Sequence, residues 1–251
     1  MRDLRNEHTG ATVSAATNDP NTQGALIFEF WFEFASTYSY LSAARIAQEA
    51  DRRRISVRWR PFLLGPIFQA QGWNDSPFNL YPAKGRYMWR DLERRCARYG
   101  LAFQKPTQFP RNGLRAARFA CALLDHAETA LHVPEFVAGV YAANFAHDRN
   151  IAEESVLVEV MSDLGLDSET CNTIVSSSTG DAMKLKLRAA TDCATALGIF
   201  GAPTFAIRRT SISECSPDPA QSAEIFWGDD RLEDAFEFFS AQSSAMKHSS
   251  A

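Results

Sequence analysis

The chain has 251 residues, of which 45% are apolar and 22% are charged, and its formal net charge is -4. This balance is typical of a globular protein with a hydrophobic core, and the lack of a basic excess argues against a nucleic-acid partner. No run of about 18 apolar residues occurs, so no membrane span is expected.

The N-terminal segment indicates where the protein is located, and the cysteines and histidines indicate whether disulfides or metal sites are expected. Residues 1–24 are polar and lack the apolar core of a signal peptide, so we expect a disordered leader on a cytoplasmic protein. The five cysteines stand far apart without a C-x-x-C pair, and the five histidines form no cluster with them. Neither a disulfide framework nor a metal site is therefore expected.

The first structured part of the chain has a strand–helix–strand pattern. Ala25–Phe32 is an apolar, aromatic run of strand length, and Tyr38–Ala50 has the spacing of an amphipathic helix. Ile55–Arg60 then alternates apolar and polar residues, as a second strand would. The three segments predict a parallel, right-handed βαβ unit.

Helical spacing dominates the middle of the chain, from Ile67 to Leu197, and proline and glycine turn signals divide it. The predicted helices are Arg86–Tyr99, Gly113–His126, Pro134–His147, Glu153–Leu164, Ser168–Ser177 and Asp181–Leu197. This long helical stretch between β-rich ends predicts a helical domain inserted into an α/β domain.

Strand character returns after the helical region, at Thr204–Arg208 and Glu224–Trp227, and a closing helix follows at Asp230–Ser240. The order βαβ, helical insert, ββα predicts an α/β fold in which an all-helical domain interrupts a thioredoxin-like domain. Residues 25–62 and 198–243 are assigned to the thioredoxin-like domain and residues 63–197 to the helical domain. Residues 244–251 are expected to form a flexible tail.

Ser36 stands between the first strand and the first helix, where two interpretations are open. A serine in this position commonly caps the helix by accepting a backbone N–H hydrogen bond. The same N-terminus also favours an anion such as a thiolate, because its N–H groups are free and the helix dipole is positive there. No cysteine lies nearby, so a thiolate would have to arrive with a cofactor.

Two later segments also allow a structural and a functional interpretation. Within Gly201–Phe205, Pro203 is either an ordinary strand entry or a cis-proline that gives the backbone of Ala202 an unusual exposed orientation. Its combination with the serine and the ββα ending favours the cis-proline. Asp229 and Asp230 are either helix caps or carboxylates that face a cleft and pair with a cationic ligand group.

Six segments together resemble the family of 2-hydroxychromene-2-carboxylate isomerases and kappa-class glutathione transferases. Phe34–Leu41 is similar to the F-x-S-P-Y-S-Y-L signature of that family, although Thr37 replaces the usual proline. The other segments follow in family order: Pro61–Phe68, Tyr81–Lys84, Phe109–Asn112, Gly201–Phe205 and Trp227–Leu232. The loop Arg209–Ala223 is longer than the family's hairpin and is expected to extend into solvent.

The resemblance implies a thioredoxin fold interrupted by a DsbA-like helical domain, a homodimer, and glutathione as the cofactor. It implies that Ser36 hydrogen-bonds the glutathione sulfur. The backbone of Ala202, the residue before Pro203, corresponds to the family residue that pairs with the cysteinyl part of glutathione.

The resemblance also assigns the two ends of glutathione. Asp229 and Asp230 correspond to the pair that holds the γ-glutamyl end. Lys84 corresponds to a lysine near the glycyl carboxylate, and Asn74 to an asparagine in the cleft.

The implied reaction is a glutathione-dependent cis-trans isomerisation of a conjugated, aromatic-derived substrate, or the transfer of glutathione to an electrophile. Aromatic residues in and near the helical region predict a bulky apolar or aromatic substrate: Phe68, Trp73, Phe78, Tyr81 and Trp89. Two alternatives stay open at this point. One is a DsbA-like thiol-disulfide oxidoreductase, and the other is a glutathione-binding protein without turnover.

Disulfide exchange requires an attacking and a resolving cysteine, and the chain offers no C-x-x-C pair. We therefore expect no disulfide reductase activity above background in an insulin-reduction assay. Insulin reduction at a thioredoxin-like rate would contradict this prediction.

Overall fold

The computed structural model describes residues 24–210 and 223–249. The predicted leader, apart from Gly24, and residues 211–222 of the loop Arg209–Ala223 lie outside the described residues. Four strands form the single sheet of the described chain: β1 (Leu26–Phe32), β2 (Val57–Pro61), β3 (Thr204–Arg209) and β4 (Glu224–Trp227).

The sheet has the order β2-β1-β3-β4, with β1 in a central position. β1 pairs in parallel with β2, placing Phe30 opposite Trp59, and pairs antiparallel with β3, placing Trp31 opposite Thr204. β4 is antiparallel to β3. The two halves of the predicted α/β domain therefore meet in one sheet, although more than 140 residues separate β2 from β3 in the chain.

Eleven α-helices surround this sheet within the described residues, and most of them lie between β2 and β3. They are α1 (Thr37–Arg53), α2 (Leu64–Ala70), α3 (Pro77–Leu80), α4 (Pro82–Tyr99), α5 (Leu114–Leu123), α6 (Ala127–Ala130), α7 (Val133–Phe145), α8 (Glu154–Asp163), α9 (Ser168–Thr179), α10 (Asp181–Ala196) and α11 (Leu232–Ser249). The predicted fold class, a thioredoxin-like domain with a helical insertion, is confirmed. The domain boundaries at residues 62/63 and 197/198 stay a prediction.

The sequence pattern missed the three short helices α2, α3 and α6, which are too brief to show a helical period. It also ended the last helix too early, at Ser240. α11 continues to Ser249 and takes in most of the segment predicted as a flexible tail. No glycine or proline interrupts residues 232–249, so nothing in the sequence stops the helix. No helix in residues 24–210 and 223–249 is both long and apolar enough to cross a membrane.

The core is divided by the alternation of side chains along β1. Phe28, Phe30 and Phe32 point to one face, where they pack with buried residues of α1, α7 and α11. Trp31 points to the other face and packs with residues of α2 and α10, including Ile67. Both faces of β1 are therefore covered, which explains why its sequence is apolar apart from Glu29.

Glu29 is the exception in this apolar strand, and it is fully buried. Its Oε1 accepts hydrogen bonds from Arg60 and Arg208, each with an N–O distance of 2.9 Å, and its Oε2 accepts one from the Trp31 indole at 3.2 Å. A buried charge is tolerated when it is paired and hydrogen-bonded in this way. The cluster ties β1 to both of its neighbouring strands.

Glu29→Gln should lower the free energy of unfolding by about 3 kcal/mol, because it removes the charge that two guanidinium groups share in a buried setting. Urea denaturation measures the loss. Glu237→Gln, which alters an exposed carboxyl on α11, is the control and should stay within about 0.5 kcal/mol of wild type. Equal stability of the two variants would show that the Glu29 cluster does not hold the sheet together.

Candidate active site

A cavity of about 1370 Å³ opens where the carboxyl end of β1 meets the start of β3. Four of the predicted site residues line it: Ser36, Asn74, Lys84 and Ala202. Pockets for small ligands usually measure about 300–1,000 Å³. This cavity therefore has room for a tripeptide-sized ligand together with a second small molecule.

Ser36 is half-buried at the Ncap position of α1, and its hydroxyl makes two hydrogen bonds. Oγ accepts the backbone N–H of Ser39 at 3.2 Å, which is the capping contact. It also donates to the carbonyl oxygen of Ala202 at 2.9 Å. Ser36 is thus a helix cap and at the same time contacts the loop that precedes β3.

The peptide bond between Ala202 and Pro203 is cis, as one of the two interpretations of this segment predicts. Pro203 is buried, and β3 begins at the next residue. Within the described part of the chain the backbone N–H of Ala202 has no hydrogen-bond partner. A free backbone donor and the Ser36 hydroxyl therefore lie beside each other at the cavity wall.

Glu33 lines the same cavity, and the sequence analysis did not identify it as a site residue. Only 9% of its surface is exposed, and burial raises the pKa of its carboxyl from the ordinary 4.5 to about 7. Its Oε2 accepts the backbone N–H of Ala35 at 3.0 Å, which opposes the rise in pKa. The one available sequence signal was an acidic residue directly after a mainly apolar strand and three positions before Ser36.

Lys84 and Asn74 lie on the exposed part of the cavity wall. The Nζ atom of Lys84 stands 4.7 Å from the centre of the Tyr81 ring, and Lys84 has no carboxylate partner within residues 24–210 and 223–249. Its ammonium group is therefore available to an anionic ligand.

Asp229 and Asp230 lie outside the cavity lining, and their surroundings differ. Asp229 is buried, and its Oδ1 accepts hydrogen bonds from Ser42 at 2.9 Å and from Arg45 at 2.8 Å. Its Oδ2 lies 3.3 Å from a guanidinium nitrogen of Arg95. Asp229 thus joins the 3₁₀ turn before α11 to α1 and α4, whereas the carboxylate of Asp230 is exposed.

Aromatic side chains form much of the apolar wall. Of the five aromatic residues proposed from sequence, Phe68, Trp73 and Phe78 line the cavity, whereas Tyr81 and Trp89 do not. Two further rings that line it, Phe200 and Trp227, were not proposed as site residues, and their ring centres lie 4.8 Å apart. Both side chains are exposed. Trp227 ends a predicted strand, whereas Phe200 lies between the predicted helix Asp181–Leu197 and the predicted strand Thr204–Arg208, so no sequence signal indicated it.

The free cysteines of the described chain are buried and do not line the cavity: Cys96, Cys121 and Cys171. Burial raises the pKa of the Cys96 thiol to about 11 and that of Cys121 to about 12. Neither thiol ionises near neutral pH. No group of three or more His, Cys, Asp or Glu side chains in the described residues is placed to hold a metal ion.

Residues 27–238 match the protein family described as the DSBA-like thioredoxin domain. The chain is 28% identical over 207 residues to a 2-hydroxychromene-2-carboxylate isomerase of Sphingobium xenophagum, covering 82% of this chain and 93% of the relative. It is 22% identical over 187 residues to glutathione S-transferase kappa 1 of Rattus norvegicus, covering 71% and 79%. The resemblance stated from the sequence motifs is thereby confirmed.

A solved structure of a 2-hydroxychromene-2-carboxylate isomerase superimposes with a TM-score of 0.66 at 23% sequence identity. The superposition covers 89% of this chain and 98% of that protein. At this level of identity the likeness supports the shared fold.

The raised pKa of Glu33 predicts a pH-dependent stability. The folded protein keeps this proton up to about pH 7, whereas an unfolded chain releases it near pH 4.5. Wild type should therefore lose stability relative to Glu33→Gln as pH rises through this window. The loss is at most about 3 kcal/mol, at roughly 1.36 kcal/mol for each pKa unit. Denaturant unfolding of both proteins across this pH range measures it, and parallel stability curves would contradict the shift.

Proposed function

The chain belongs to the DSBA-like thioredoxin domain family, and within this family we propose that it is a glutathione-dependent isomerase of the 2-hydroxychromene-2-carboxylate isomerase type. The observation that supports this most directly is the meeting of Ser36 and the main chain of Ala202 at a large cavity. When bound there, glutathione would supply a thiolate that adds reversibly to a conjugated double bond of an aromatic-derived substrate.

The donors at the cavity wall fit such a ligand. A serine hydroxyl has one proton to donate, and Ser36 donates it to the carbonyl of Ala202. A ligand main chain that pairs with the N–H and carbonyl of Ala202 would take over this acceptor and release the hydroxyl. Ser36 would then donate to the sulfur, and a hydrogen bond to an anion is stronger than one to a neutral carbonyl. The N-terminus of α1 adds a favourable dipole.

Charged groups on the cavity wall and outside it suit the two ends of the tripeptide. Lys84 carries a cation without a carboxylate partner in the described chain, and we assign it to the glycyl carboxylate with Asn74 beside it. Of the two aspartates, Asp230 has the exposed carboxylate and is our candidate for the γ-glutamyl ammonium group. Asp229 would hold the turn that carries Asp230.

The walls of the cavity favour an apolar, aromatic second substrate. Phe200 and Trp227 form one pair of exposed rings, and the half-buried Phe68 and Trp73 form a second pair with ring centres 5.4 Å apart. Aromatic rings prefer offset or edge-to-face contact at such separations. A flat conjugated molecule would bury its faces against these rings.

A kappa-like glutathione transferase is the alternative, because formation of the thiolate is common to both reactions. The resemblance to the rat transferase favours it. The residues would have the same roles in both reactions. In the isomerase the thiolate leaves again after the double bond has rotated, whereas in the transferase glutathione stays bonded to the substrate. A homodimer and a cytoplasmic location also belong to this proposal. The DsbA-like oxidoreductase is disfavoured, because the N-terminus of α1 at the cavity carries Ser36 and no cysteine, and the free cysteines described are buried.

Ser36→Ala is expected to raise the pKa of bound glutathione and to reduce turnover strongly, because the thiolate loses its hydrogen-bond donor. Glutathione affinity should change little, since the contacts of the main chain and of the two ends remain. Thiolate absorbance of the glutathione complex, titrated against pH, measures the shift. Turnover of 2-hydroxychromene-2-carboxylate with and without glutathione tests the reaction itself.

Loss of the helix cap alone should cost about 1 kcal/mol of stability, so a matched cap variant is needed. Asp167 caps α9 through the N–H of Thr170 at 2.8 Å and lies outside the cavity lining. Asp167→Ala should lose a similar amount of stability and leave the thiolate titration unchanged. If the midpoint of the thiolate titration is the same in Ser36→Ala as in wild type, Ser36 acts only as a helix cap.

A further inference from the structure

We propose that Glu33 is a second catalytic residue of this site, the acceptor of the thiol proton of the ligand bound at Ser36. The inference rests on the proposed function, since it requires a thiol ligand. Glu33 Oε1 takes the proton as the S–H bond breaks and an O–H bond forms, and the electron pair of the S–H bond remains on sulfur. No oxidant, reductant or further reactant is needed.

The loop after β1 places Glu33 and Ser36 at the same end of the cavity. The Ser36 N–H donates to the Glu33 carbonyl at 2.9 Å, so the two residues close one tight turn. Both residues line the cavity. A ligand atom held by the Ser36 hydroxyl therefore lies at the end of the cavity that Glu33 also lines.

The two oxygens of the Glu33 carboxyl have different surroundings. Oε2 is held by the Ala35 N–H, which fixes the direction of the group. Oε1 has no hydrogen-bond partner in the described part of the chain, and it lies where a side chain on Gly113 would be, 2.8 Å from the position of an added Cβ. The lack of a side chain at residue 113 leaves room for Oε1 and for a proton on it.

The charged and titratable groups around Glu33 leave it without a counter-ion. Tyr141 of α7 donates its hydroxyl hydrogen bond to the Glu33 backbone carbonyl at 2.8 Å, and burial raises the pKa of this phenol well above its usual value. Arg111, before α5, also lines the cavity, but its guanidinium pairs with Asp148 and with the carbonyl of Arg149. Neither Tyr141 nor Arg111 therefore stabilises the charged form of the Glu33 carboxyl, and neither accepts its proton.

The other groups that line the cavity suit this role less well. Asp75 is exposed and already accepts hydrogen bonds from Ser76 and Asn79. Tyr38 donates its hydroxyl to Asp91, and its pKa is raised by burial. The carboxyl of Glu33, with a pKa near 7, is suited to accept and return a proton at neutral pH.

Proton counting by titration calorimetry tests the proposal. Binding of glutathione is measured in two buffers of different ionisation enthalpy at about pH 8, where a free thiol with a pKa of roughly 8.5 is still mostly protonated. S-Methylglutathione, which has no thiol proton, supplies the baseline. Ultraviolet thiolate absorbance of the same complexes reports whether the sulfur is ionised.

Wild type is expected to form the thiolate and to release well under one proton per glutathione bound, because the negative charge of the neighbouring thiolate raises the pKa of Glu33 further and keeps the transferred proton on its carboxyl. Glu33→Gln keeps an oxygen for the Ala35 N–H and so should fold. It should either leave the thiol protonated or release about one proton for each thiolate formed. Asp75→Asn is the matched carboxyl-to-amide change in the same cavity. It should release the same number of protons per glutathione bound as wild type does.

Two results would overturn the role of Glu33 while the proposed function stands. One is a release of about one proton per thiolate in both wild type and Glu33→Gln. The other is a change in proton release in Asp75→Asn that equals the change in Glu33→Gln. It would show that the number of protons released depends on the net charge of the cavity and not on Glu33. Wild type that fails to bind glutathione would overturn the proposed function and this role together, and absence of a binding signal distinguishes that case.

Discussion

The hydrogen bonds that β1 makes along both of its edges hold the whole site in place. β1 is paired with β2 on one side and β3 on the other, and its residues are almost all buried. A slip of one residue would send Phe28, Phe30 and Phe32 to the opposite face, so the register is strongly specified. Because Phe32 is fixed, the loop that follows it delivers Glu33 and Ser36 to one location, beside the residues that precede β3.

That loop also depends on the helical insertion. Tyr141 donates a hydrogen bond to the carbonyl of Glu33 at 2.8 Å, and Asn144 donates one to the carbonyl of Phe34 at 3.4 Å. Both donors belong to α7. Buried carbonyl groups need such partners, because an unsatisfied one costs about 1–3 kcal/mol. The insertion therefore does more than cover the cavity, since it supplies donors that let the polar backbone of the loop lie buried.

The sequence predicted the parts of this arrangement that depend on local pattern. The bounds of β4 and the beginning of α10 agree with the structure, because a short apolar strand and a helix after Gly180 have clear local signals. The burial of Glu33 could not be predicted, since it depends on Gly113 and on Tyr141, which is 108 residues away along the chain. Pattern also could not decide which of two adjacent aspartates turns inward.

The contrast among three buried acids supports a chemical use for one of them. Glu29 is paired with Arg60 and Arg208, and Asp229 is paired with two arginines of α1 and α4. Glu33 is also buried, with 9% of its surface exposed, yet no arginine or lysine of the described chain pairs with it. A carboxyl that served only to brace the loop would be more stable with a cation, as the other two are. An unpaired acid exchanges its proton near neutral pH, and that property is of use only where a ligand can reach it. Glu33 is the one of the three that lines the cavity.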